Sequence, residues 1–100
     1  MKFKITSLAS QDLENIWLYT FENWSIERAD RYLNLIIDEI EYVAQKPDSG
    51  FDFSSVREGY YRSRIKSHFI FYRIDQKNDM VEIIRILHQR MDIENKLSEY

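Results

Sequence analysis

The hydrophobic pattern of this 100-residue chain changes from a helical to a strand period between residues 44 and 60, and that change limits the folds open to it. Between residues 9 and 44, apolar side chains recur every three or four positions, which is the spacing of one helix face. From Tyr60 onward they alternate every second position, as they do along a half-buried strand. Pro47 and Gly50, which end helices, stand between the two patterns. The order predicts an α+β fold.

Two helices are predicted before the change of period. The first has a candidate cap at Ser7, runs from Ala9 and stops near Trp24. Ser25 offers a capping oxygen to a second helix over residues 26–45, and the near absence of a linker makes the pair an antiparallel hairpin. The positions predicted to face the core are Ala9, Leu13, Ile16, Trp17, Thr20, Trp24, Ala29, Tyr32, Leu33, Ile36, Ile37, Ile40, Val43 and Ala44.

Strands are predicted on both sides of the hairpin. Residues 2–7 alternate polar and apolar side chains and form a first strand. Three runs rich in Ile, Phe, Tyr and Val, at residues 60–65, 69–75 and 81–88, are separated by short polar turns at residues 66–68 and 76–79. These runs predict a three-stranded antiparallel meander with the helices packed on one face. The first strand is expected to join the sheet at its edge or in its middle.

Composition bounds the class of protein. The hydrophobic content of 44% is enough for one core, so we expect a single domain over residues 1–100, ending in a tail at residues 91–100 that is a short helix or frayed. The chain has no cysteine and no apolar run of membrane-spanning length. We therefore expect a cytoplasmic protein without membrane contact. No motif for a nucleotide, a metal or a nucleophile is present, and we expect no cofactor.

The net charge of −3 is unevenly distributed. Residues 1–56 carry five Lys or Arg against ten Asp or Glu, whereas residues 57–73 carry five cations against Glu58 alone. If the strand continues past residue 65, one face presents Tyr60, Arg62, Arg64, Lys66 and His68. Such a stripe suits phosphates or the carboxylates of an acidic peptide, and it is equally compatible with a solvated sheet face.

Neither of the two histidines, His68 and His88, has the spacing of a metal ligand to a Cys, His or acidic cluster. His88 has the chemistry of a general acid or base for RNA cleavage, and Glu58, Arg62 and Arg64 complete a candidate nuclease set. A hydrogen-bonded structural histidine is the alternative. Arg85 and His88 point to opposite faces of an unbroken strand, which argues against their convergence. Tyr19 and Phe21, outside or at the margin of the helix stripe, are candidate anchors for a partner.

Several blocks resemble the ParE toxins of the RelE/ParE superfamily, and together they cover nearly the whole chain. In the first half the matching residues are Ala9, Asp12, Leu13, Ile16, Tyr19, Thr20 and Trp24, followed by Pro47 and Gly50. In the second half they are Arg57, Gly59, His68, Ile70, Phe71, Tyr72, Arg73, Arg85, Ile86, Leu87, His88, Met91 and Asp92. Ser25 departs from the glycine that the family usually has after the tryptophan.

This resemblance implies the toxin of a type II toxin–antitoxin module that inhibits DNA gyrase by trapping it on cleaved DNA. It implies a protein inhibitor rather than an enzyme, without specific nucleic-acid binding of its own. It also implies a ParD-type antitoxin, bound in a hetero-oligomer, whose segment folds along the toxin. The antitoxin's acidic part would meet Tyr60, Arg62, Arg64, Lys66 and His68, and its apolar anchors would enter the hairpin groove.

Two other functions stay open. The RelE branch of the superfamily cleaves messenger RNA on the ribosome, which would use the nuclease set above. A binding module of the same fold without gyrase activity is the third reading. We further hypothesise that the sheet face and the tail at residues 91–100 contact the target, because both are polar and follow the most specific blocks.

Overall fold

The computed structural model describes residues 1–98, without the side chain of Ser98. A first strand and a helical hairpin precede the remaining strands, so the α+β class and the element order predicted from the sequence are confirmed. The elements are β1 (Lys2–Ile5), α1 (Ser7–Asn23), α2 (Ile26–Gln45), a 3-10 turn (Pro47–Ser49), β2 (Phe51–Asp52), β3 (Tyr60–Ile65), β4 (His68–Asp75), β5 (Met80–His88) and α3 (Ile93–Ser98).

Both hairpin helices begin at a capping side chain. The Ser25 hydroxyl accepts a hydrogen bond from the Arg28 amide at 3.1 Å, which confirms the predicted cap of α2. The cap of α1 is Thr6 and not Ser7, so that prediction was wrong by one residue. Thr6 Oγ1 accepts from the Ala9 amide at 3.2 Å and donates to the Ile84 carbonyl at 3.0 Å. The second bond ties the start of α1 to β5, a contact that local sequence does not reveal.

The five strands form one sheet in the order β1-β5-β4-β3-β2. The antiparallel meander β3-β4-β5 is confirmed, and β1 lies at the edge, parallel to β5. The two-residue strand β2 was not predicted; it pairs with Tyr61 and Arg62 at the opposite edge. A bulge shifts the register of β4 and β5 between Phe71 and Tyr72.

The sheet has a core on each face. On one face, α1 and α2 pack over strand residues, and the buried members of this main core include Ile36, Ile40, Ile70, Tyr72 and Ile83. On the other, which we call the outer face, a smaller core contains Tyr60, Phe71, Ile84 and Leu87, with Leu97 of α3. Leu97 is only 1% exposed, so α3 is a packed helix rather than a frayed end.

The turn after α2 is fastened to the main core by one tyrosine. The Tyr72 hydroxyl donates to the Pro47 carbonyl at 2.8 Å and accepts from the Gly50 amide at 3.1 Å. A Cβ built at Gly50 would lie 2.9 Å from the Tyr72 ring carbon Cζ and closer still to its hydroxyl oxygen. Glycine is therefore needed at this position for close approach and not for backbone conformation, since its φ is −76°.

A buried ion pair fixes α1 against β5. Arg85, 7% exposed, donates to both carboxylate oxygens of Asp12, through Nε at 2.8 Å and through a terminal nitrogen at 3.0 Å. Asp12 also accepts from the Ile86 amide at 2.9 Å. A weaker bond of 3.5 Å joins Arg85 to the Lys96 carbonyl in α3. One guanidinium thereby connects α1, β5 and α3.

Candidate functional site

A groove of about 1000 Å³ lies between the tip of the helical hairpin and the end of the sheet at which β4 begins and β5 ends. Its walls mix aromatic and cationic side chains with apolar and other polar ones. The hairpin side includes Tyr19, Trp24, Arg28, Arg31 and Tyr32 as well as the acidic Asp12, and the sheet side includes Lys66, His68, Ile86, His88 and Met91. A groove of this size that mixes apolar surface with positive charge suits a peptide segment better than a small neutral molecule.

Three side chains form a contact chain along the groove. The Tyr32 hydroxyl and His68 Nδ1 are 2.6 Å apart, and the rings of His68 and His88 meet edge to face with centroids 5.2 Å apart. Burial, reinforced by the neighbouring His88, lowers the pKa of His68 to about 4, and the Asp12 carboxylate opposes that shift. His68 is therefore neutral near pH 7. His88 Nδ1 accepts from the Arg90 amide at 3.1 Å, which fixes it against the segment after β5.

The tip of the hairpin exposes aromatic side chains. Trp24 was predicted to lie in the core and is 57% exposed, because it stands at the C-cap of α1 and borders the groove. Its ring meets Tyr19, itself 62% exposed, with centroids 6.2 Å apart. Phe21 is also exposed and stacks on the partly buried Trp17. The two anchors considered from the sequence, Tyr19 and Phe21, are thus accessible, and Trp24 joins them.

The predicted basic stripe does not form a single face. Strand β3 ends at Ile65, and the two-residue turn that follows has Lys66 at a positive φ of 53°. His68 begins β4 opposite Ile65 and lies on the helix-covered face, where it contacts Tyr32. Tyr60, Arg62 and Arg64 belong to the outer face with Phe69 and Phe71, their neighbours across β4. Because of this turn, the five residues do not share one face of the sheet, as they would have done if the strand had continued.

On the outer face, Tyr60 is 4% exposed and belongs to the small core, so its side chain offers little surface to a partner. Arg64 is exposed and donates to the Lys66 carbonyl and to the Gln89 side chain, at 2.9 and 2.8 Å. Arg62 lies among three phenylalanine rings, those of Phe51, Phe53 and Phe69. Phe51 and Phe53 were not identified from the sequence, although their alternation on either side of Asp52 is the pattern of a short strand.

The candidate nuclease residues are divided between the two faces. His88 pairs with His68 and borders the groove, whereas Arg62 and Arg64 lie on the outer face. Glu58 is exposed in the loop between β2 and β3. Arg85 is directed to Asp12 while His88 contacts His68, which agrees with the expectation that the two do not converge.

Residues 1–98 lack two further features, a metal-binding cluster and a membrane-spanning helix. No cluster of three or more His, Cys, Asp or Glu side chains in this part of the chain is arranged to hold a metal ion. Among its helices, none combines the length and the apolar character that crossing a membrane requires.

Two solved structures share this architecture. A chromosomal ParDE TA system from P. aeruginosa aligns with a TM-score of 0.77 at 20% identity, over 88% of this chain and 95% of that one. The toxin–antitoxin complex RelBE2 from Mycobacterium tuberculosis aligns with a TM-score of 0.65 at 22% identity, over 87% and 95%. The fold is therefore one found in toxin–antitoxin complexes.

Comparison of sequences assigns the chain to one family within this class of toxin–antitoxin proteins. Residues 3–93 match the family model described as ParE toxin of type II toxin–antitoxin system, parDE. Toxin ParE1 of Caulobacter vibrioides is 37% identical over 90 residues, which cover 90% of this chain and 91% of that protein. Toxin ParE1 of Mycobacterium tuberculosis is 31% identical over 96 residues, covering 96% and 97%. The chain belongs to the ParE toxin family, as the resemblance in its sequence indicated.

Proposed function

We propose that this protein is the gyrase-directed toxin of its toxin–antitoxin module and acts in the cytoplasm. It traps DNA gyrase on cleaved DNA, blocks replication and acts as a protein inhibitor rather than an enzyme. The observation that carries the proposal is the division of the candidate nuclease groups between the two faces of the sheet. A general base and its transition-state cations must surround one reacting phosphate, and this arrangement does not bring them together.

A ParD-type antitoxin is the proposed partner that neutralises the toxin within a hetero-oligomer. The groove supports this part of the proposal, because Tyr19 and Trp24 supply exposed aromatic surface beside Arg28 and Arg31. When an antitoxin segment folds onto the toxin, its apolar side chains become buried against these aromatic rings. The two arginines attract the acidic residues of the same segment. The two solved neighbours described above are a toxin–antitoxin system and a toxin–antitoxin complex.

Ribosome-dependent cleavage of messenger RNA is the second candidate. It is favoured by the RelBE2 neighbour and by the accessible His88 at the edge of the groove. A binding module without activity against gyrase is the third. The three functions differ in what they do to DNA in the presence of gyrase, and that difference can be measured directly.

The test incubates the purified protein with gyrase, ATP and supercoiled plasmid, then adds denaturant and protease and looks for linear DNA. We expect linear DNA from the wild type. The double variant Arg62→Ala with His88→Ala should still give linear DNA, because trapping gyrase needs neither a general base nor cations around a reacting phosphate, whereas a nuclease would lose its activity. Circular dichroism shows whether the double variant is folded.

Absence of linear DNA with folded toxin and active gyrase would contradict the proposal. The same preparation is then added to translating ribosomes. Cleaved messenger RNA that depends on Arg62 and His88 would establish the nuclease, and intact RNA would leave the binding module.

A further inference from the structure

The environment of Arg62 is unusual for a cation on an open sheet face. Its guanidinium carbon lies 4.5 Å from the ring centroid of Phe69, 4.6 Å from that of Phe51 and 5.4 Å from that of Phe53. Phe69 belongs to β4 and Phe51 belongs to β2. Phe53 is the residue that follows β2. We call these four residues the Arg62 clamp.

Across residues 1–98, no salt bridge or side-chain hydrogen bond to another residue involves Arg62. Its planar cation is held by aromatic rings, which attract the faces of a guanidinium and leave its N–H edge free to make bonds in the plane. Three rings around one cation also reduce its rotamer freedom, so less entropy is lost when a ligand binds it.

The charge around the clamp is also uncompensated. Arg57 and Arg64 lie on the same side of the molecule, each over an aromatic ring, Tyr60 at 5.7 Å and Phe69 at 5.8 Å. The two salt bridges in the described part of the chain, Arg73–Glu82 and Arg85–Asp12, involve neither of them. Asp52, between Phe51 and Phe53, and Glu58, beside Arg57, are the acidic residues nearest in sequence, and neither belongs to either of these salt bridges. A local positive field therefore surrounds a prepared cation.

We propose that the Arg62 clamp binds one carboxylate side chain of the antitoxin, in a segment where that acidic residue is flanked by apolar ones. This inference rests on the proposed antitoxin partnership and adds a specific subsite on the outer face, separate from the groove. The N–H edge of the guanidinium donates to both carboxylate oxygens as a fork, and Phe51, which is 60% exposed, packs against the apolar neighbours of the acidic residue.

An acidic peptide fits the clamp better than a nucleic acid does. Base stacking needs free aromatic faces, and the guanidinium already covers one face of Phe51 and of Phe69. Phe53 is partly buried and packs against Phe71 at 5.2 Å between centroids, so it offers little stacking surface. A carboxylate requires only N–H donors, and within residues 1–98 no side-chain hydrogen bond or salt bridge uses those of Arg62.

The experiment measures binding of the purified antitoxin to the full toxin by calorimetry. Arg62→Lys keeps the charge but removes the planar fork and weakens its contact with the rings, so affinity should fall about tenfold or more. Arg73→Lys is the matched control: it lies on the same face, pairs with Glu82 within the toxin, and should change affinity less than about twofold. Thermal melts of both variants establish that they are folded.

The second measurement identifies the carboxylate. Each Asp and Glu of the antitoxin is changed to Asn or Gln and tested against wild-type toxin and against Arg62→Lys. One antitoxin substitution should weaken binding to the wild type about tenfold and have little further effect on the variant, which is the signature of a direct pair.

Three outcomes would overturn the clamp. The first is tight binding that is unchanged in Arg62→Lys, and the second is that no antitoxin carboxylate couples to Arg62. The third is that a fluorescent oligothymidylate binds the toxin through Arg62 more tightly than the antitoxin does. Failure of the partnership itself looks different, because wild-type toxin would then neither bind the antitoxin nor be neutralised by it.

Discussion

At the residue scale, Gly50 lets the turn after α2 lie against Tyr72. Gly50→Ala places a methyl group against the Tyr72 ring and hydroxyl, and we expect a loss of about 1–3 kcal/mol in the free energy of unfolding. The free energy is measured by urea denaturation. Adding Tyr72→Phe removes the closer of the two contacts, so the double variant should lose less than the sum of the single variants. If the losses of the two single variants are fully additive in the double variant, the contact between residue 50 and Tyr72 is not the cause of the lost stability.

His68 makes stability depend on pH. Its pKa is about 4 in the folded protein against an ordinary value of 6.5, so the unfolded chain binds more protons between these values. The contribution is fully present above pH 6.5 and is lost as pH falls toward 4. Between about pH 7.5 and pH 5 we expect a loss near 1 kcal/mol from this residue, after discounting for its partial exposure to water.

The measurement for His68 compares thermal unfolding of the wild type and of His68→Gln at both pH values. Glutamine does not titrate, so the variant should lose less stability on acidification even though it starts from a lower value without the Tyr32 contact. Equal losses in both proteins would assign the pH dependence to other groups.

Among individual residues, sequence reasoning succeeded where one local interaction decides the outcome. Ser25 was identified as a cap because a serine before a strongly periodic helix has one dominant role. His68 was placed with Tyr60 on the condition that the strand continued past residue 65, and that condition is not met, because β3 ends at Ile65 and His68 pairs with it. A turn at residues 66–68 was predicted, but its two-residue length was not, since it depends on Lys66 adopting a positive φ, which few lysines do.

At the scale of elements, the Asp12–Arg85 pair keeps α1 in place on β5. Asp12→Asn retains the shape but removes the charge, which leaves a guanidinium buried without its counterion. We expect a loss of about 3–5 kcal/mol in the free energy of unfolding, measured by urea denaturation. Glu82→Gln, at the exposed pair with Arg73, is the control and should change stability by less than about 1 kcal/mol. Similar losses of free energy of unfolding in Asp12→Asn and Glu82→Gln would contradict the expectation that the buried ion pair stabilises the fold more than the exposed one.

The long elements were predicted better than the short ones. Helix α2 occupies Ile26–Gln45, the span predicted, because its apolar residues repeat over five turns and a cap fixes its start. Strand β3 likewise matches at Tyr60–Ile65. The two-residue strand β2 was missed, since the single alternation of Phe51, Asp52 and Phe53 is too short to identify a strand, which forms only where β3 offers it a partner. The Arg62 clamp depends on β2 and was therefore invisible in the sequence.

The tail at residues 91–100, predicted to contact the target, has a structural role in the part that can be described. Ile93–Ser98 is a helix, Leu97 is buried in the outer core, and residues 99–100 lie outside the described residues. Truncation after Met91 would expose that core as well as remove the tail. Its part in target binding stays a prediction, best examined through the exposed side chains of Met91 and Glu94.

At the scale of the whole molecule, the two features proposed to bind the antitoxin lie on different sides. The groove opens where the hairpin tip meets the end of the sheet, and the Arg62 clamp lies on the outer face beside β2. A segment that reached both would have to pass around the β3-β4 turn, where Lys66 borders the groove and its carbonyl accepts from Arg64. Such a path would shield a large part of the toxin surface with a single chain.

The pairing of the first strand with the last has a consequence for when the protein folds. Lys2 lies beside Met80 and Ile5 beside Ile83, and the terminal amine donates to the Ala44 carbonyl at 3.0 Å. Leu97 packs into the smaller core on the outer face. A growing chain therefore cannot complete the β1 edge of the sheet until Ile83 has been synthesised, whereas β2 and β3 at the opposite edge can pair earlier. The first strand and the helical hairpin have to wait for β5, so the surfaces that β5 completes are among the last to form during synthesis.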